Sequence, residues 1–188
     1  KDWEIEFENR SSMVTILALH GGGIEPATTE LAYTIAHYGD YNYFSFKGMR
    51  SKGNNELHVT STHYDDQIAL DLVRGSQRTV AIHGCEGNES VAYIGGSDDR
   101  LIELITESLE DIGISVREAP HHISGTQENN IVNMTQTQGG VQLELTAQLR
   151  KELFKNRKSS RKNRENKDNW DDLMYDFADA MKKAIERA

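Results

Sequence analysis

"MVTILALHGGGIEPATTELAYTIAHY", Met13 to Tyr38, contains the change of hydrophobic period that decides the fold. Its first seven residues, Met13–Leu19, are rich in β-branched and apolar side chains, the pattern of a strand buried on both faces. After His20 and three glycines the period changes. Leu31, Ile35 and Tyr38 recur at helical spacing, and Pro26 and Thr28 supply start signals. A buried strand, a glycine turn and a helix open an α/β unit.

The alternation continues down the chain. The spacing predicts strands over Tyr41–Phe46 and Glu56–Thr62, and a short helix in "DDQIALDLVRG" that stops at Gly75. "RTVAIHG", Arg78–Gly84, repeats the pattern of Met13–His20: an apolar strand ending in a histidine, His83. "SVAYIGG" and "ISVREA" read as strands. Between them, Leu101, Leu104, Ile105, Leu109 and Ile112 make one face of a helix that starts at Asp98 and Asp99 and ends at Gly113. "GVQLELT" alternates, with Val141, Leu143 and Leu145 on one side and Gln142, Glu144 and Thr146 on the other. A C-terminal amphipathic helix is predicted over 169–187. The expectation is one domain spanning 1–188: an α/β fold whose mixed, mostly parallel sheet carries helices on both faces.

Composition narrows the function. A chain of 188 residues that is 37% hydrophobic with two prolines is globular. Its net charge of −9 argues against a nucleic-acid partner. No apolar run approaches the ~18–20 residues of a membrane span, and no signal peptide is visible. Cys85 is the only cysteine, so no internal disulfide forms. One basic run, Lys155–Lys167, stands against the trend. It reads as a solvated loop, or as an electrostatic contact for an acidic polymer.

Missing partner residues remove several chemistries. "GMRSKGN" has two glycines at P-loop spacing, but Asn54 stands where the phosphate-binding lysine belongs. "HGGG" suits an oxyanion loop, but no Gly-x-Ser-x-Gly elbow accompanies it. A metal reading fits better. His20 and His83 each end a buried strand, and the carboxyl ends of parallel strands share one rim. Glu25 follows His20 across a turn that glycines can fold back. His, Glu and His are the ligands of hydrolytic zinc sites that leave one position for water. Glu144, on an apolar strand, is the candidate general base for that water.

"HGGGIEPATTELA", "NNELHVTST", "AIHGCEG" and "GVQLELT", in this order, resemble the poly-γ-glutamate hydrolases of phages that infect bacilli, a family whose relatives are labelled phage-related replication proteins. The resemblance covers Val14 to Leu149. It implies a zinc-carboxypeptidase-like fold, one zinc ion held by His20, Glu25 and His83, and Glu144 as general acid/base. The implied reaction is hydrolysis of γ-glutamyl amide bonds. The implied partner is an acidic polymer, poly-γ-glutamate, acted on by a monomer with no nucleic acid and no membrane, in a phage attack on a capsule. A cytoplasmic location in the host, with release on lysis, is left open.

Such a substrate needs anion partners. Lys47, Arg50, Lys52, Arg74 and Arg150 are the available cations, with Arg50 and Lys52 in a glycine-bounded loop. Asn130 and Asn133 are neutral donors. Arg50, Asn130 and Asn133 are therefore the substrate-binding candidates. His58 and His63 lie near a strand end, where His63 with Asp65 or Asp66 offers a second ion site, and His121 and His122 offer a loop over the cleft. Two other readings compete: a zinc amidase on another γ-linked peptide, such as cell-wall peptide, and a non-catalytic polyanion-binding domain.

Overall fold

The computed structural model describes residues 1–188 throughout. Its strands are β1 (Trp3–Glu8), β2 (Val14–Gly22), β3 (Asn42–Gly48), β4 (Arg78–Cys85), β5 (Val91–Gly96), β6 (Ser115–Glu118) and β7 (Val141–Thr146). They form one sheet in the order β1-β3-β2-β4-β7-β5-β6. The four central strands β3, β2, β4 and β7 run parallel. β1 lies antiparallel on β3, and β5 antiparallel on β7, with β6 parallel to β5 at the far edge. The expected mixed, mostly parallel α/β sheet is therefore present. Because the central strands are parallel, the ends of β2, β4 and β7 share one rim.

Helices cover both faces unequally. α1 (Thr28–Gly39), α3 (Asp99–Asp111) and α6 (Asp172–Arg187) bury one face in a core of 32 residues that includes Ile16, Ala18, Val80, Ile82, Leu143 and Leu145. α2 (Gln67–Arg74) and a 3-10 turn at Ile131–Asn133 cover part of the other, where Leu17, Leu19 and Ala81 join a core of 10. The uncovered remainder of that thinner face is the cleft. Two short helices, α4 (Ala147–Glu152) and α5 (Arg161–Arg164), precede α6.

Two expectations are corrected, and one strand is added. Glu56–Thr62 is not a strand but a 3-10 turn, Asn54–Leu57, followed by a loop. Both edges of β3 are already taken, by β1 and β2, so this segment finds no strand to pair with. β1 is an added strand. Its Glu4 and Glu6 meet the Lys47 ammonium at 3.1 and 3.2 Å, and the Tyr43 hydroxyl donates to Glu6 at 2.9 Å, which ties a polar edge to the sheet. The last helix starts at Asp172, with Asp171 accepting from the Leu173 amide. Trp170 lies outside it and bridges to Phe154.

One irregularity positions the chemistry. Between Ala18 and Gly21, β2 advances three residues while β3 advances two. This is a bulge in a parallel pair, an uncommon arrangement. Strict alternation would send His20 to the same face as Ile16 and Ala18, under α1. The extra residue turns it to the face of Leu19, where the cleft lies.

Candidate metal centre

The turn after β2 folds Glu25 back onto His20. The Glu25 amide donates to the His20 carbonyl at 2.8 Å and closes the reversal. Two glycines are required there for different reasons. Gly22 sits at φ 61°, in the left-handed region, and its amide donates to Thr29 Oγ1 at 2.9 Å. Gly21 has no room for a side chain, since a Cβ would lie 2.1 Å from Thr29 Oγ1 and 2.4 Å from Ser45 Oγ. The helix then starts at Thr28, with Ala27 at φ 85°.

Three ligand atoms converge. His20 Nδ1 lies 3.2 Å from Glu25 Oε1 and 3.1 Å from His83 Nδ1, and His83 Nδ1 lies 3.5 Å from Glu25 Oε1. A tetrahedral zinc ion with bonds of about 2.0–2.1 Å holds its ligand atoms about 3.3–3.4 Å apart. The triangle fits that spacing, and the donor set of two imidazoles and a carboxylate is one that zinc takes. Both histidines are buried, to 3% and 2% exposure.

The surroundings aim these atoms inward. His20 Nε2 lies 2.6 Å from the Val59 carbonyl; donation there leaves the Nδ1 lone pair facing Glu25 and His83. His83 Nε2 is buried with no partner, so the only polar engagement of that ring is at Nδ1. Burial lowers His83 and favours its neutral, ligating form, against the opposing pull of Glu25. Burial also works to raise Glu25, but its bonds to His20 and His83 outweigh that and hold its carboxyl well below the usual range. Glu25 Oε1 further accepts from the Gly84 amide at 3.0 Å, which ties the turn to the end of β4.

Glu144 faces the same space. It pairs in register with His83 on the neighbouring strand and is only 7% exposed, where strand alternation alone allowed an exposed position. Burial first, then the negative charge of Glu25, pushes its carboxyl up to about 9. Gln142 Nε2 donates to Glu144 Oε1 at 3.3 Å, and Asn130 Nδ2 donates to Gln142 Oε1 at 3.1 Å.

Two residues that the sequence offers for other roles contribute here. The loop after Leu57 lays His58 on His20, with ring centroids 3.8 Å apart, and brings His58 Nε2 within 3.9 Å of Glu25 Oε2. The motif "NNELHVTST" flagged the residue, but its reading as a strand hid the loop geometry. Arg150 is the second. Its guanidinium donates to the carbonyls of Leu145, Pro26 and Cys85 at 3.1, 3.1 and 3.0 Å. These carbonyls sit one residue after Glu144, one after Glu25 and two after His83. One side chain thus clasps three segments that carry the site, with three of its five N–H donors given to backbone carbonyls.

The other candidates disperse. Asn130 lines the cleft. Asn133 does not, and donates to the Gly125 and Gln127 carbonyls instead. Arg50 is paired with Asp2 and Glu56 at 3.1 and 2.6 Å and lies away from the cleft lining. Lys47 is held by Glu4 and Glu6. His63 meets Thr60 Oγ1 at 3.2 Å. His122 and Cys85 line the cleft; burial pushes the Cys85 thiol up to about 11, so it stays neutral.

Comparison with known proteins places the chain in a family. The family model described as poly-gamma-glutamate hydrolase matches residues 1–180. The SPbeta prophage-derived protein YoqZ of Bacillus subtilis (strain 168) is 39% identical over 75% of this chain and 52% of its own length. YmaC of the same organism is 31% identical over 99% of this chain and 78% of its own. The chain thus spans about half the length of YoqZ. Among solved structures, a bacteriophage poly-gamma-glutamate hydrolase superposes with a TM-score of 0.94 at 32% identity, covering 99% of this chain and 89% of that one. The zinc-free apo form of YndL superposes at 0.91 with 30% identity, covering 98% and 90%.

Proposed function

The chain belongs to the poly-γ-glutamate hydrolase family, and on that premise we propose that it hydrolyses γ-glutamyl amide bonds of poly-γ-glutamate with one zinc ion held by His20, Glu25 and His83. The observation that carries the reading is the triangle of ligand atoms with a nearly buried carboxylate, Glu144, on the adjacent strand. A zinc-free form is known for YndL, which supports the metal.

The ligand triangle is built to receive an ion, and the protein supplies the rest. When bound, zinc polarises a carbonyl, acidifies a water, and offsets the burial and the Glu25 charge that now raise Glu144. Glu144, so lowered, takes the proton from the attacking water and passes it to the leaving nitrogen. Its Oε1 is oriented by Gln142, which leaves Oε2 for that proton. The Asn130–Gln142–Glu144 chain fixes the side chain on β7, and the Val59 carbonyl fixes the His20 ring. Asn130 lines the cleft with one amide N–H uncommitted, a neutral donor for a substrate carboxylate, while both N–H groups of Gln142 are taken by Glu144 and the Ile123 carbonyl. The biological use we propose is stripping of a polyglutamate coat by a phage or prophage product.

The test is incubation of purified poly-γ-glutamate with wild type and with Glu144→Gln, each assayed for zinc. Wild type is expected to shorten the polymer. Glu144→Gln should keep the metal and lose turnover by about 10²–10⁴-fold. An intact polymer with zinc-loaded wild type would refute the substrate, and near-normal turnover in Glu144→Gln would refute the base.

A further inference from the structure

Charge is distributed in a way that the cleft chemistry does not use. None of the residues lining the catalytic cleft is a lysine or an arginine, and its two carboxylates are Glu25 and Glu144. The whole chain carries −9. Beyond the proposed zinc ion, and Arg150 half-buried behind the site, no cation is placed there to receive the further carboxylates of a polymer that carries one per residue. The cations are gathered in one place instead. The 13 residues from Lys155 to Lys167 hold seven lysines and arginines and a single acid, Glu165.

This run is folded, not a loose loop. Arg164 is 8% exposed, pairs with Glu30 at 3.4 Å, and donates to the Ser159 carbonyl at 2.6 Å. The Trp170 indole donates to the Arg164 carbonyl at 2.8 Å, and the Phe154–Trp170 bridge closes the segment's base. The Lys167 ammonium sits over the Tyr33 and Trp170 rings at 5.2 and 5.6 Å. Arg161 pairs with Glu165 and donates to the Met49 carbonyl, just past the end of β3. With those residues acting as anchors, Lys155, Arg157, Lys158 and Lys162 are left exposed, with no carboxylate within 4 Å.

The position suits a role in binding substrate. A cavity of about 340 Å³ lies between the segment and the β2–α1 turn, lined in part by Lys47, Arg161 and Arg164; these are paired there with Glu6, Glu165 and Glu30, so the charge free for a polyanion is that of the four exposed residues outside it. The catalytic cleft lies on the other side of the same turn, lined by His20 and Glu25. The two spaces thus share the turn as a common border. Cations already held by a folded segment lose little conformational freedom on binding.

We propose that Lys155–Lys167 is an exosite that holds the carboxylates of a long polyglutamate chain while a distant stretch of the same chain occupies the cleft. This deepens the polyglutamate reading and rests on it. The tether raises the local concentration of bonds at the cleft without adding any contact there. It also predicts a preference for long chains over short ones.

The test uses the Glu144→Gln protein, which binds without cutting, and compares it with the same protein carrying Lys155→Gln, Arg157→Gln, Lys158→Gln and Lys162→Gln. Thermal melts confirm that both are folded. Binding of high-molecular-weight poly-γ-glutamate is measured at two salt concentrations, with duplex DNA as a second polyanion. The four changes are expected to weaken polyglutamate binding at least about tenfold and to flatten its salt dependence. In the active protein they should raise KM for long polymer by a similar factor. Unaltered affinity and KM, or DNA binding without polyglutamate binding, would overturn the exosite and leave the hydrolase reading standing. Polymer held through these four residues but never shortened by the zinc-loaded active protein would keep the exosite and sink the hydrolase.

Discussion

The turn after β2 and the end of β7 face each other across the cleft, and each delivers one carboxylate. Glu25 arrives on a tight reversal and meets two imidazoles and the Gly84 amide. Glu144 arrives in mid-strand, beside Leu143 and Leu145, with one weak donor from Gln142. Burial penalises the charge of both. The partners of Glu25 overcome the penalty and hold it ionised, whereas Glu144 is left near 9. Two acids whose surroundings drive them apart have separate jobs. On the proposed reading the ionised one binds the cation and the other exchanges the proton.

The largest effect should come from breaking the binding half of that pair. His83→Ala removes one of the three convergent atoms and a partner of Glu25, so stoichiometric zinc and polymer cleavage should both fall to background in metal analysis and turnover assays. Full zinc retention would remove His83 from the ligand set. Glu144→Gln is the opposite case, with metal kept and turnover lost, so the two variants together tell ligand from base.

Arg150 is the common support of both halves. Arg150→Met should weaken zinc affinity by about 10–100-fold, the usual range for groups that orient ligands, and lower the melting temperature. Arg150→Lys keeps the charge but not the planar fork, and should recover little of the loss. Full recovery in a competitive chelator titration would mean that charge, and not the three-way clasp, is what matters.

The smallest effect uses a third carboxylate to isolate burial. Glu30 lies outside the cleft, and burial raises it to about 7 even with Arg164 and Lys47 beside it; Glu6 adds to the rise. A carboxyl raised on folding favours the protonated fold. Its stabilising contribution is complete below about pH 4.5 and is lost as pH rises through about 7. Glu30→Gln should therefore gain stability relative to wild type as pH rises, by about 2–4 °C more in melting temperature at pH 8 than at pH 4. Equal differences at both pH values would show that Arg164 keeps Glu30 ionised throughout.

Much of this was legible in the chain. Met13–Leu19 and Arg78–Ile82 are apolar enough to fix two buried parallel strands, and both end in histidine. The rim rule then brings His20 and His83 together. Alternation in "GVQLELT" puts Glu144 opposite the leucines. Other features depend on distance in sequence. His58 lies 38 residues from the imidazole it stacks on, and Arg150 lies 124 residues from the Pro26 carbonyl it holds. No local period encodes such contacts. The strand β1, for which the chain carries no stated expectation, and the loop at Glu56–Thr62, expected as a strand, share a cause: pairing depends on which sheet edge is free, and that is a property of the assembled sheet.

The sequence by itself determined the class of fold, the order of most of its elements and the residue types that gather at the rim, because hydrophobic period and glycine placement act locally. The tertiary structure decided which way those residues face. Alternation alone points His20 under α1, and one extra residue in β2, with β3 and α1 packed around Gly21, turns it into the cleft. The same packing decided that the basic run is a folded shelf, since burial of Arg164 between Glu30 and Ser159 requires α1 to be already in place.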